Sequence, residues 1–480
     1  MFSKKRSDAL LALIRNGEPM TFLQKMELIF FLSIPSILAQ VSSVLMFYID
    51  ASMVGSLGAR ASAAIGLVES ATWLFGGLTM AASMGFSVQV AHFLGAKDMS
   101  QVHRVVRHGY RVNVALSVVI ALIGVAVARP LPHWLGGGPD ICSDATLYFL
   151  IFALATPFLQ IGNLSSSLLK CSGDMRVPSL VSLLMCLLDV VFNFFLIYPS
   201  RTLSVLGMSL FMPGANLGVA GAALGSSLAI AVTALLLAWF ARVRSPLLSN
   251  HSVSTRFVFS KSYVRKAFRI SAPMAVQYVL MSGAQIVSIM IVAPLGNFAI
   301  AANTFAITAE SLCYMPGYGI GEAATTLVGQ SVGAQRRDLC MSFARMAVFT
   351  GMGVMAVMGA LMYVFAPEMI GIMTPVVQIK DLGVEALRIE AFAEPMFGAA
   401  IVTYNVCLGA GDTLRPALIN LCCIWGVRLT LAAWLTPLYG LRGMWMAMAM
   451  ELSLRGLLFL VRLFSKQWMK IKAEPAKIAG

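Results

Sequence analysis

The sequence predicts an all-α polytopic membrane protein with 12 transmembrane helices in two pseudo-symmetric six-helix lobes. Three observations carry this prediction. Hydrophobic residues fill 59% of the 480 positions and charged ones only 12%, against about 25% charged in soluble globular chains; the mean hydropathy is +0.82. Apolar runs near the ~20 residues needed to cross ~30 Å of hydrocarbon recur along the whole length. Finally, the second half of the chain repeats the first.

The spans follow in order. A basic start, MFSKKRSDALLALIRNGEPM, has too short an apolar run to cross a membrane and no small-residue cleavage site, so 1–27 reads as a retained cytoplasmic segment. Runs over 28–52, 62–86, 105–128, 144–168, 178–199 and 217–240 make the first lobe, 28–240. A basic cytoplasmic linker, 241–269, carries Arg242, Arg244, Arg256, Lys261, Arg265, Lys266 and Arg269. Runs over 270–292, 300–325, 342–366, 384–407, 416–437 and 443–464 make the second lobe, 270–464, before a cytoplasmic tail, 465–480.

Most of the 35 Lys and Arg fall on the termini and the even-numbered loops, whereas the odd-numbered loops hold Arg60, Arg129, Arg201, Lys380 and Arg442. By the positive-inside rule both termini are cytoplasmic, in a cell inner (plasma) membrane. The net charge of +14 is therefore topological, and no nucleic acid is expected as a partner. None of the eight cysteines forms a CxxC pair, no histidine has metal-ligand spacing, and no GxxxxGK[ST] phosphate loop occurs. Neither a cofactor nor ATP hydrolysis is expected, and a monomer suffices.

The repeat has a constant offset of 238, from Pro35 to Pro273, and pairs Gly58 with Gly296, Gly95 with Gly333, Pro157 with Pro395, Asp174 with Asp412 and Pro178 with Pro416. For the last two spans the offset falls to 222, as Gly218 matches Gly440, so the first half carries extra residues near 200–216. Six spans per half set the two copies parallel, about an axis along the membrane normal, an arrangement found in transporters. The shared positions are mainly Gly, Pro and Ala, which serve helix approach and turns. The charges inside the spans are not shared: Asp50 matches Ser288, Asp189 matches Val427, Asn193 matches Leu431, Glu310 matches Thr72, Glu390 matches Phe152, Glu394 matches Thr156 and Arg428 matches Val190. Charges that only marked helix ends would recur in both copies.

Asp50 lies in VLMFYIDASMVGSLG, where it either marks the end of span one or faces a polar cavity; a carboxylate near mid-membrane costs about 2.5–3.5 kcal/mol. Asp189 and Asn193 lie one helical turn apart. With Asp50 and Ser226 they supply carboxylate, amide and hydroxyl oxygens, a set suited to a hard cation or to a proton; a structural hydrogen-bond network is the plainer reading. Glu390 and Glu394 are also a turn apart, and with Glu310 they offer substrate or proton candidates in the second lobe, which Arg428 or Arg388 would partly neutralise. Glu69 and Glu322 are weaker candidates. Pro35 is a hinge candidate in span one, or an ordinary tolerated membrane proline. Gly409-Ala-Gly411-Asp412 spells the GxGD string of intramembrane aspartyl proteases, but its repeat partner Ser172-Gly173-Asp174 and the following prolines mark both as turns.

Several of these stretches together resemble the multidrug and toxic compound extrusion (MATE) family: Pro35, Asp50 and VGSLG in span one, LLKCSGDMRVP at 168–178, APLG at 293–296, YMPGYGIGEAATTLVGQSVGA at 314–334 and LGAGDTLRP at 408–416. The resemblance covers nearly the whole chain. It implies two lobes around a central cleft and export of organic, often cationic, compounds driven by Na⁺ or H⁺. It also implies that Asp50 is the first-lobe cavity carboxylate, that Asp189 and Asn193 are the polar pair of span five, and that Ser226 stands where members often have a span-six Thr. The acid precedes the amide in span five here, reversing the usual order, and 270–292 lacks the carboxylate that some members carry there. The reversed order bears on the coordination geometry, and the missing carboxylate favours coupling in the first lobe. A lipid-linked oligosaccharide flippase of the same superfamily is the alternative, disfavoured because such a cavity should present basic residues.

Overall fold

The computed structural model describes residues 4–205, 208–249 and 259–469. The expectations for 250–258 of the linker, including Arg256, and for 470–480 of the tail lie outside the described residues.

Helix α1 (Lys4–Asn16) precedes α2 (Phe22–Gly55). At the start of α2 the Thr21 hydroxyl accepts from the Gln24 N–H, and the Gln24 side chain accepts from the Thr21 N–H at 2.9 Å. This reciprocal cap satisfies two orphan donors, so α2 begins ahead of the apolar run at 28. The first lobe continues with α3 (Ala59–Gly95), α4 (Met99–Ala128), one-turn α5 (Leu131–Trp134), α6 (Pro139–Ser172), α7 (Arg176–Ile197) and α8 (Gly218–Trp239). Between α7 and α8, β1 (Pro199–Val205) and β2 (Met208–Ala215) form an antiparallel hairpin with Val205 opposite Met208. The insertion near 200–216 thus adds one strand pair to a chain expected to be all-α.

The second half comprises α9 (Lys261–Val292), α10 (Asn297–Gly333), α11 (Arg337–Met373), α12 (Val377–Ala391), α13 (Glu394–Gly409), α14 (Leu414–Leu421), α15 (Leu429–Tyr439) and α16 (Leu441–Ser465). A π-helical stretch, Cys422–Arg428, joins α14 to α15. Among the described residues, 10 helices are long and apolar enough to cross a membrane, with α14 to α15 taken as one; the pair α12 and α13, bent by 61°, makes 11. The 37-residue α10 is not among them. Its C-terminal half is rich in Gly, Ala and Thr because residues Ala323 through Val332 are buried in protein, where small side chains let backbones approach.

Two helical lobes result: α3, α4, α6, α7 and α8 pack together, as do α10–α13, α15 and α16. Helices α2 and α9 reach across. The start of α2 lies in a core with α10 and α11, where Leu28, Ile29 and Leu32 meet Leu327 and Phe343. Helix α9 packs on α3, with Ala267 and Ser271 against Gly85.

One end of the molecule is sealed. There α3 and α10 cross so closely that a Cβ on Gly95 would lie 2.0 Å from the Gln330 carbonyl oxygen, and one on Gly333 1.9 Å from that of His92. Only glycine permits this approach. Further bonds join the lobes beside it: Gln330 Nε2 donates to the Cys171 carbonyl (3.0 Å), Thr326 Oγ1 to that of Lys170 (2.9 Å), and Lys170 Nζ pairs with Glu322 Oε1 (2.6 Å). Helix α1 covers the joint. Its Arg15 donates to Gln330 Oε1 in one lobe and to the Ser172 carbonyl in the other, both at 3.1 Å, while Leu11 and Ile14 are buried. Toward the opposite end α3 and α10 expose residues such as Gly66, Glu69, Trp73, Thr304 and Ile307.

The turns ending α6 and α13 match the sequence reading. Gly173 and Gly411 have φ of +99° and +76°; Asp174 Oδ1 accepts from the Val177 N–H, and Asp412 pairs with Arg462.

Candidate functional sites in the two lobes

In the first lobe, α2 and α7 bring Asp50, Asp189 and Asn193 together. Asn193 Nδ2 donates to Asp50 Oδ1 at 2.9 Å and to Asp189 Oδ2 at 3.1 Å. Asp189 and Asn193 are both 1% exposed, while Asp50 is partly exposed. One amide thus bridges two carboxylates, and neither Asp189 Oδ1 nor Asn193 Oδ1 has a hydrogen-bond donor. Buried oxygens without donors are costly and unusual. The arrangement depends on α8: a Cβ at Gly225 would lie 2.0 Å from Asn193 Oδ1. Ser226, next to it, is partly buried and makes no side-chain hydrogen bond among the described residues, so the structure does not bring it into the network. Tyr148 of α6 stands within electrostatic range of Asp50, Asp189 and Glu69. Glu69 itself is exposed and accepts from Trp73 Nε1 at 3.4 Å. Pro35 lies inside an unbroken α2.

The second lobe holds a larger buried cluster. Glu310 on α10, Glu390 on α12 and Glu394 on α13 are 5%, 0% and 0% exposed, and no oxygen of Glu390 or Glu394 has a hydrogen-bond partner. Arg428 donates to Glu451 Oε2 (Nε at 3.0 Å), and Arg455 pairs with Glu451 Oε1 at 3.0 Å. Glu390 lies within electrostatic range of Glu310, Glu394, Glu451 and Arg428. Four carboxylates therefore share two guanidinium groups. Arg388 takes no part: it stands over the Tyr363 ring, 5.3 Å from its centroid. Residues 388 and 390 point to different helix faces. Aromatic rings border the cluster, with Tyr314 edge-on to Phe397 at 5.5 Å and to Tyr318 at 5.9 Å, and Arg455 5.5 Å from the centre of Phe397.

The sequence reading missed Glu451 and Arg455. Their signal was available, as an acid and a base one turn apart inside the apolar run 443–464. It also set Glu390 and Glu394 on one helix, whereas the bend between α12 and α13 divides them. Among the described residues no group of three or more His, Cys, Asp and Glu is arranged to hold a metal ion.

A membrane-embedded chain of two repeated helical lobes, each with its own set of buried carboxylates, is the architecture of a secondary transporter. The MatE family model matches twice, at residues 35–195 and 273–434. The chain belongs to the MATE family of transporters; it is not an enzyme. It is 25% identical over 449 residues to the "Probable multidrug resistance protein NorM" of Thermotoga maritima, covering 92% of each chain. To the protein of that name from Brucella suis biovar 1 it is 27% identical over 464 residues, covering 93% of each. Among solved structures, a MATE protein in complex with MaL6 superposes with a TM-score of 0.85 at 20% identity, over 97% of this chain and 99% of that one. An outward-facing MATE transporter of the MOP superfamily gives 0.84 at 20% identity, over 95% and 98%. These structures share the fold.

Proposed function

We propose that the protein is an antiporter that exports organic, multidrug-type and mainly cationic compounds from the cell in exchange for Na⁺ or H⁺, by alternating access between lobes 28–240 and 270–464. In this reading α10 is the eighth of twelve spans, both termini are cytoplasmic, the membrane is the inner one, and the sealed end faces the cytoplasm. Asp50, Asp189 and Asn193 take up the coupling cation, with Ser226 entering the set only in another state. The observation that carries the reading is the amide of Asn193 between two carboxylates, beside the donorless Asp189 Oδ1 and Asn193 Oδ1. A proton or a small hard cation satisfies such oxygens, and a site filled in one lobe shape and emptied in another supplies the differential affinity that coupling needs.

The second-lobe cluster is the substrate candidate. With four carboxylates to two guanidinium groups, beside Tyr314, Tyr318 and Phe397, it offers charge and ring faces to an organic cation. The test is efflux of a fluorescent organic cation from proteoliposomes, with Na⁺ and pH gradients imposed separately. Whichever gradient drives the wild type should fail to drive Asp50→Asn. Undiminished gradient-driven efflux in that variant would sink the assignment.

A further inference from the structure

At the sealed end, where α2, α11 and α16 meet, an open groove of about 430 Å³ is lined by Arg337, Arg345 and Lys466, with Asp338 its one carboxylate among the described residues. Among the described residues none of the three cations forms an ion pair, and all three are exposed. Arg345 is instead held 5.5 Å from the centre of the Phe464 ring. The groove is not purely polar: Phe22, 67% exposed, forms one wall. Above it on α16, Leu457, Val461 and Phe464 are 53%, 61% and 48% exposed, at a spacing that sets them in one apolar stripe.

We infer that this groove binds the headgroup of an anionic phospholipid of the cytoplasmic leaflet, with an acyl chain along the Leu457–Val461–Phe464 stripe. Charge complementarity selects this occupant. Three cations to one acid attract a phosphodiester anion, and basic pockets between helix ends on the cytoplasmic side suit such headgroups. A soluble phosphate would use the cations but leave the adjoining stripe without a role. A zwitterionic lipid would bring its own cation against Arg337 and Lys466. The groove sets the start of α2 against α11 and α16, and Lys25 Nζ donates to Ser342 Oγ beside it at 3.0 Å. The inference rests on the proposed orientation of the termini but not on the identity of the coupling ion or substrate.

The test is native mass spectrometry of the full chain in detergent, offered equimolar phosphatidylglycerol and phosphatidylcholine, with glycerol phosphate as a soluble competitor. The wild type should retain phosphatidylglycerol preferentially and glycerol phosphate should not displace it. At about 1 kcal/mol per basic residue, each of R337Q, R345Q and K466Q should weaken that preference roughly fivefold, while the charge-retaining R337K/R345K/K466R, which also controls for folding, should keep most of it. A wild type without preference, Gln variants that keep the preference, a charge-retaining variant that loses it, or displacement by glycerol phosphate would each overturn the inference. Binding is read without transport, so failure here is separate from failure of the exporter reading.

Discussion

The two lobes are copies of one sequence frame, yet they carry their charges on different kinds of helix. In the first lobe Pro157 lies inside the unbroken 34-residue α6, and the acids and amide sit on the continuous helices α2 and α7. In the second lobe the matching Pro395 follows a 61° bend, with Glu390 and Glu394 on either side. Gly359 makes room for the bend, since a Cβ there would lie 2.7 Å from the Ala391 carbonyl oxygen. The partner of α7 is likewise interrupted, by the π-helical stretch that ends at Arg428. Such interruptions free backbone groups and re-aim side chains, and they gather at functional sites. The difference teaches that proline alone does not break these helices. The break appears where carboxylates replace the Phe152 and Thr156 of the first copy.

The comparison extends to energetics. Glu451 is held by two arginines in the second lobe, whereas Asp50 and Asp189 of the first share the Asn193 amide. Glu451→Gln should therefore cost about 3–5 kcal/mol by leaving two buried guanidinium groups without their acid, read as a large fall in unfolding temperature in detergent; a small fall would break the contrast. Gly225→Ala should cost about 1–3 kcal/mol, because the new methyl group collides with Asn193 Oδ1, and gradient-driven efflux should fall with it. Asp50→Asn should change stability by less than about 1 kcal/mol, since it separates no ion pair, although efflux is lost. Ser226→Ala, outside the network in this state, should leave stability within about 0.5 kcal/mol while efflux falls, since the hydroxyl joins the coupling set only in the other state; efflux at the wild-type level would remove Ser226 from that set.

Much of the first-lobe site could be read from the sequence, because Asp189 and Asn193 at helical spacing on an unbroken helix must share a face, and Asp50 stands alone in an apolar run. The second-lobe site was less readable. The repeat suggested a continuous helix over 384–407, and nothing in the first copy announces the bend. Arg388 resembled a partner for Glu390 by proximity in sequence, but its side chain leaves on another face, toward Tyr363. Helix α10 was read as an apolar run over 300–325, although its full length is not apolar enough to stand out as a span, since a helix buried in protein needs small residues more than apolar ones. The hairpin at Pro199–Ala215 could be seen as an insertion but not as strands, because no counterpart in the second copy constrains it.

The crossing of α3 and α10 has a meaning beyond tight packing. Gly95 meets Gln330, and Gly333 meets His92; Gln330 occupies in the second copy the position that His92 has in the first. Each glycine thus touches the repeat equivalent of the residue that the other touches. That reciprocity is the signature of an isologous contact between identical subunits related by a two-fold axis. Two separate six-helix chains meeting about such an axis would make this same joint, so the seam at the sealed end preserves, inside one polypeptide, the geometry of a homodimer.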